Sequence, residues 1–365
     1  MPLAQPRTGV GTYTFELARA LAAEAPQDEF ELISPLPFDE TVARAAADST
    51  PANLQLIYSR PNLFQRRWWT VGLPSYIRRN PLALFHGTNY EVPLHEHCPA
   101  VVTIHDLSLL LHSNTHEART VRRARLLLPL MARKAKFIIT PSEPVRNEVC
   151  EHLKIEADKV FATPLAPRAG FRPLPLDETV EARRRLGVAD EFLLFVGTIE
   201  PRKNLSTVLL ALEEVLRTTE LRPQLVVAGK VGWKVDEVLA QARESSLRDW
   251  VRFVGFVEDE DLRALYSSCR AFIYPSVYEG FGLPPLEAMA CGAPVIASRV
   301  PSIKESVARV ISATDYRELT KTIVELLTTP TARQELSERG VAYAGTFSWQ
   351  RTAALTREVY ARALR

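Results

Sequence analysis

The sequence predicts two doubly wound α/β domains joined by a proline-rich connector. Three observations lead there. Short apolar, β-branched runs alternate with longer amphipathic stretches along almost the whole chain, the pattern of parallel strands covered on both faces by helices. The alternation occurs in two separate series. Between them, residues 163–178 ("TPLAPRAGFRPLPLDE") carry Pro164, Pro167, Pro173 and Pro175, too many for a helix or an interior strand. A chain of 365 residues is also long for one domain.

In the first series the strand stretches are "EFELISP", "LQLIYS", "LALFHG", "AVVTIHD", "KFIITPS" and "KVFATPL". In the second they are "EFLLFVGT", "PQLVVAG", "VRFVGFV", "RAFIYPS", "APVIAS" and "ARVISA". The last stretch, "FSWQRTAALTREVYARAL", reads as an amphipathic helix with Ala353, Leu355, Val359, Tyr360 and Ala363 on one side. In open parallel sheets, ligands meet the carboxyl ends of the strands. Two such domains facing each other would form a cleft lined by those loops.

Composition excludes several classes. Hydrophobic content of 46% with 24% charged residues describes a chain with material for real cores, not a disordered one. Cys98, Cys150, Cys269 and Cys291 are scattered without a C-x-x-C pair, so they read as buried thiols in a reducing compartment. The N-terminus shows no signal-peptide h-region, and no run is long enough to cross a bilayer. A cytoplasmic, non-spanning protein is the expectation.

Two stretches carry chemistry. In "VGTIEPRKNL", Arg202 and Lys203 precede a helix expected from about Asn204. Two cations beside a helix N-terminus suit an anion. In "SVYEGFGLPPLEAMACG", residues 276–292, Glu279 falls in a loop and Glu287 about one turn inside the helix that follows. Pro284 or Pro285 fits that helix's first turn, and Gly292 stops it. Gly280 and Gly282 let backbone N–H groups come close to a ligand. Carboxylates accept from vicinal hydroxyls and N–H groups meet phosphate, so the stretch suits a sugar diphosphate.

"PSVYEGFGLPPLEAMACGAPVIAS" resembles the E-x7-E motif of the retaining glycosyltransferases of family 4 (glycosyl transferases group 1), which have the GT-B fold. "RTGVGTYTFELARAL", "VVTIHDLS", "GTIEPRKNL", "VVAGKVGW", "VRFVGFVEDEDLRALYSSCRAFIYPS" and the terminal "FSW" are similar to further family segments in the same order. Among its members it resembles bacterial polysaccharide mannosyltransferases with "EPRKN". The resemblance implies a GT-B α/β fold of two Rossmann-like domains with a cleft between them. Residues 1–170 would form the acceptor-side domain, with helix 348–365 packing back on it, and 171–347 the nucleotide-sugar domain.

The resemblance also implies roles. Glu287 would bind the donor's ribose. Glu279, with Gly280, Phe281, Gly282 and Leu283, would hold the transferred sugar. Arg202 and Lys203 would neutralise the departing diphosphate, Gly11 would lie against that phosphate, and His105 would stand by the sugar and the reacting bond. Many members have an arginine where Thr198 stands here. The substrates would be a GDP- or UDP-linked sugar, mannose first, and a glycan or lipid-linked glycan acceptor, with no cofactor. "DED", Asp259 to Asp261, matches a metal-binding pattern but precedes a helix, where acids belong in the first turn, so no metal is expected. His95/His97 and His112/His116 lack a third ligand and read as loop histidines.

Three rivals stand beside this reading. A glycoside hydrolase also uses two carboxylates but has no use for Arg202 and Lys203. A dinucleotide oxidoreductase needs a third glycine and a preceding strand, which "TGVGTYTF" lacks. A non-catalytic or N-terminally truncated GT-B homologue acting as a binding protein is the third. It arises because only "MPLAQPRT" precedes Gly9, so the N-terminal domain lacks the family's usual first strand. The expectation is that Met1 is not the natural start, or that the product is compromised with a poorly anchored Gly11 loop. Residues 60–136 hold twelve basic and four acidic residues. Interleaved with Trp68, Trp69 and leucines, they suit a peripheral contact with an anionic membrane. No recognition motif points to nucleic acid.

Overall fold

A computed structural model describes residues 2–5, 8–60, 67–93 and 98–365. The expectations for His95 and His97, and for the basic region at residues 61–66, lie outside the described residues. The chain divides into two compact units. The first is Met1–Leu111, Arg119–Arg168 and Ser348–Arg365; the second is His112–Ala118 and Ala169–Phe347.

The first unit opens on helix α1 (Gly9–Glu24), followed by β1 (Phe30–Ser34), α2 (Glu40–Ser49) and β2 (Leu54–Tyr58). Helix α3 (Leu73–Arg79) leads to β3 (Phe85–Gly87), β4 (Ala100–Thr103), α4 (Ser108–Leu111), α5 (Ala118–Lys134), β5 (Phe137–Thr140), α6 (Glu143–Leu153) and β6 (Val160–Ala162). The strands form two separate parallel sheets, β1-β2 and β3-β4-β5-β6. No strand precedes α1 among the described residues. Helix α1 begins at Gly9, so Gly11 is buried in its first turn, not in a loop ahead of it. Leu3 packs with Phe15 and Val42. Trp68 is 8% exposed and, with Leu73 and Ile77, gathers Ile33, Trp69 and Phe85. Trp68 is core, which removes it from any membrane face; Trp69 is partly buried against the same cluster.

The second unit comprises α7 (Val180–Leu186), β7 (Phe192–Val196), α8 (Leu205–Thr218), β8 (Gln224–Ala228), α9 (Asp236–Gln241), β9 (Val251–Gly255), α10 (Asp259–Ser268), β10 (Ala271–Tyr274), α11 (Leu283–Ala290), β11 (Val295–Ser298), β12 (Arg309–Ile311), α12 (Tyr316–Thr328) and α13 (Pro330–Ala344). Its six strands make one parallel sheet in the order β12-β11-β10-β7-β8-β9. All four residues of β10 and of β11 are buried, as strands covered on both faces require. The apolar faces of α8 and α12 close one side of the sheet in a continuous core from Leu193 to Leu336. The chain order reverses between β7 and β10, and that switch point is where a doubly wound sheet opens for a ligand.

The last helix, α14 (Trp349–Leu364), starts under a Ser348 cap that accepts from Arg351 N–H. It lies against α1, and Val359, Tyr360 and Ala363 pack on Val101 and Ile139 of the first unit's sheet. Trp349 Nε1 donates to Pro167 O at 2.9 Å. All four cysteines are free thiols; Cys269 and Cys291 are buried, but Cys98 and Cys150 are only partly so.

Candidate functional site

The loops after β7 and β10 meet at the switch point. Arg202 and Lys203 sit in a short 3-10 turn, Pro201–Lys203, closed by Asn204 in a left-handed conformation before α8. Val277 N–H donates to Arg202 O at 2.9 Å, which joins the two loops. The side chains then converge on one carboxylate. Glu279 Oε1 lies 2.6 Å from Lys203 Nζ, 2.8 Å from Arg202 Nη1 and 2.5 Å from Ser276 Oγ. Lys203 Nζ also reaches Tyr274 Oη at 2.5 Å, and Arg202 reaches Glu200 Oε1 at 2.6 Å and Tyr278 O at 2.8 Å.

The cluster is nearly dry. Lys203 is 8% exposed and Glu200 5%. Burial pushes Glu279 up, but Lys203 and Arg202 together outweigh it and hold the carboxyl down at about 2. For Lys203, burial dominates and pulls the amine below its usual range against the attraction of Glu279. Glu279 is therefore a permanent anion at physiological pH and no proton donor. The sequence suggested two cations open to an incoming anion; the fold sets them against Glu279 and Glu200. Glu200, Ser276 and Tyr274 were missed. Glu200 stands in "VGTIEPRKNL", but nothing in its local spacing shows that it faces Arg202.

The loop from Glu279 into α11 is fixed by one conformation. Gly282 has φ +93°, and a Cβ there would lie 2.9 Å from both Ser302 Oγ and Val300 Cγ2. Ser302 ties the turn from both sides: its N–H donates to Phe281 O at 2.8 Å, and its Oγ to Gly282 O at 2.8 Å. Phe281 packs edge-on against Phe347. Leu283 opens α11, and Glu287 lies inside that helix with 1% exposure.

In the first unit, His105 follows β4. Its Nε2 lies 2.8 Å from Thr88 O, and its ring stands between Tyr13 of α1 (centroids 4.9 Å apart) and Tyr90 (5.8 Å), both edge-on. Burial lowers its pKa against the Thr88 hydrogen bond and Asp106. So Arg202, Lys203 and Glu279 come together in the second unit with Glu287 on the helix beyond, while Gly11 and His105 belong to the first. Of the residues set aside, Asp259 and Asp261 occupy the first turn of α10, where Asp261 pairs with Arg185. His112 lies tilted against Tyr278, ring centroids 4.7 Å apart, and His116 stacks on Trp233. No group of three or more His, Cys, Asp or Glu among the described residues could hold a metal.

Residues 7–165 match the family described as "Glycosyltransferase Family 4", and residues 178–342 match "Glycosyl transferases group 1". The chain is 32% identical to the O-antigen chain mannosyltransferase B of Escherichia coli, over 98% of this chain and 97% of that one. It is 32% identical to the serotype-specific mannosyltransferase WbdA of Escherichia coli over 63% of this chain but only 29% of WbdA. Among solved structures it is similar to Anabaena Alr3699/HepE in complex with UDP and glucose, with a TM-score of 0.76, 17% identity and coverage of 97% and 96%. It is also similar to WaaG, a glycosyltransferase involved in lipopolysaccharide biosynthesis, with a TM-score of 0.74, 17% identity and coverage of 97% and 96%.

Proposed function

This chain belongs to glycosyltransferase family 4, a family of GT-B enzymes, and we propose that it moves mannose from GDP-mannose to a hydroxyl of a growing, lipid-linked glycan with retention of anomeric configuration. The observation that carries the reading is the Glu279–Arg202–Lys203 cluster at the switch point, followed by a helix that buries Glu287. Mannose and the glycan acceptor are carried over from what the Escherichia coli relatives are named for.

The chemistry follows from the charges. The diphosphate leaves on the face from which the acceptor attacks and helps to take up the acceptor's proton. Negative charge grows on the leaving group, and Arg202 and Lys203, already oriented by Glu279 and Glu200, meet it without reorganising. Glu279 accepts from the sugar's hydroxyls and Glu287 from the ribose. The backbone at Gly280, Phe281, Gly282 and Leu283 frames the donor, and Gly11 and His105 serve the phosphate and sugar from the first unit. Two cations make a metal redundant, so activity should survive a chelator; a strict need for magnesium or manganese would refute this.

The test of the donor is a thermal-shift screen over nucleotide sugars, followed by product analysis. A donor at a hundred times its dissociation constant should add about 2.7 kcal/mol of stability. GDP-mannose should give that shift and GDP. Stabilisation by UDP-glucose alone would overturn the donor, and none by any nucleotide would overturn the site.

A peripheral membrane contact belongs to the same reading. No helix among the described residues is long and apolar enough to cross a membrane. Helix α5, however, turns Arg119, Arg122, Arg123, Leu126, Leu130, Arg133 and Lys134 outward; Leu126 is 76% exposed. Cations around two outward leucines suit the cytoplasmic face of an anionic bilayer. Sedimentation with phosphatidylglycerol vesicles but not with phosphatidylcholine, lost in Leu126→Asp/Leu130→Asp, would support it; equal recovery with both would not.

A further inference from the structure

We propose that Tyr13 and Tyr360 are positioning residues for His105: one hydrogen-bonded chain of side chains runs from the C-terminal helix α14 to the tyrosine that orients the imidazole. The inference rests on the role given to His105 above.

The tautomer comes first. Thr88 O can only accept, so His105 Nε2, 2.8 Å away, carries the proton in the neutral ring. Nδ1 then keeps its lone pair, the atom able to accept from a sugar hydroxyl. That single bond leaves the ring free to swing about it. Tyr13 limits the swing, standing edge-on to the imidazole with an interplanar angle of 86°. Edge-to-face contact is a preferred arrangement of such rings, so the imidazole's orientation follows that of Tyr13, the nearer of its two edge-on neighbours, with Tyr90 the other.

Tyr13 is fixed at its far end. It is fully buried, and its hydroxyl lies 2.7 Å from Thr103 Oγ1. The same Oγ1 lies 2.8 Å from His86 Nε2, and His86 Nδ1 lies 2.6 Å from Tyr360 Oη. Four side chains from α1, β3, β4 and α14 thus share one chain of three bonds. A neutral His86, donor at one nitrogen and acceptor at the other, completes it. Burial, with His105 nearby, lowers the His86 pKa to about 3 and keeps it neutral. An apolar core could fill this space with less at stake. A polar chain that is largely out of water instead favours the geometry that satisfies every member. The chain ends against the one ring of this unit placed in the reaction.

Two readouts test this on the full chain. Long-range 1H–15N spectra of the imidazoles need no substrate. Wild type should show His105 as a single Nε2–H tautomer, and Tyr13→Phe and Tyr360→Phe should each broaden or mix those signals. Unchanged His105 signals would overturn the proposal. The second readout is GDP release from GDP-mannose. Each Phe variant should lower kcat about tenfold, the worth of one ordinary hydrogen bond, with KM and GDP affinity unchanged. In a His105→Ala background neither should lower kcat further, and Thr103→Ser should keep what Thr103→Val loses. Equal losses in both backgrounds, or lost thermal stability with kcat intact, would show a structural role only. If His105→Ala turns over normally, the role of His105 fails and the positioning claim with it. If GDP-mannose is not a substrate, the donor assignment fails while the spectra still decide the positioning.

Discussion

In the second unit one six-stranded sheet supports one continuous core, and the site at its switch point is held by charge: two cations and two carboxylates within 3 Å contacts of one another. In the first unit the strands fall into two sheets and the core into several smaller clusters. The residues around His105 there are held by neutral hydroxyl, imidazole and aromatic contacts. The difference follows the work proposed for each side. A departing diphosphate needs fixed positive charge, which a dry pocket tolerates only if carboxylates balance it beforehand. A sugar hydroxyl needs an acceptor lone pair at a set angle, which a neutral, well-oriented ring supplies.

The largest effect should come from removing the charge. Arg202→Ala and Lys203→Ala should each lower kcat about 10²–10³-fold, as loss of a transition-state donor does. Binding of free nucleoside should suffer less, because the charge they meet grows in the transition state. Equal losses in kcat and nucleoside affinity would break the assignment of charge to the second unit. Next, Glu287→Gln should weaken GDP binding by about 1.5–3 kcal/mol, the value of a charged hydrogen bond; calorimetry showing wild-type affinity would end its ribose role. Gly282→Ala should destabilise the second unit by about 1–2 kcal/mol, since an L-residue resists that φ. Urea unfolding is the measurement, and an unchanged midpoint would mean the turn can relax.

The smallest effect concerns acid. A histidine whose folded pKa is lowered binds fewer protons folded than unfolded, so its contribution is full above 6.5 and lost as pH falls toward, for His86, about 3. Glu279 is depressed from 4.5 to about 2, so its contribution is full above 4.5 and lost as pH falls through about 2. Near pH 5.5 the first unit should already have lost about 1 kcal/mol from His86 and the second nothing from Glu279. Hydrogen exchange should show β4 losing protection before β10 as pH falls; the reverse order would refute the contrast.

Much of the fold was legible. All twelve stretches read as strands form strands, because buried parallel strands demand β-branched, apolar runs that few other segments carry. The Pro-Pro start and Gly292 stop of the helix holding Glu287 were equally plain, since both act through local backbone geometry. The state of Arg202 and Lys203 was not. Their spacing placed them beside a helix, but only folding brings Glu279, more than seventy residues on, between them. Trp68 read equally well as membrane anchor or as core; contacts with Ile33 and Phe85 made it core.

The sequence by itself determined the alternation of elements, the turns and caps, and which residue types stand at the strand ends, because each depends on neighbours a few residues away. Only the tertiary structure decided which carboxylate meets which cation, which imidazole nitrogen keeps its lone pair, and that a tyrosine on the last helix is tied to one on the first. Those outcomes depend on distance and desolvation in space. Residues far apart in the chain share a dry contact of under 3 Å only once the sheet order has brought them there.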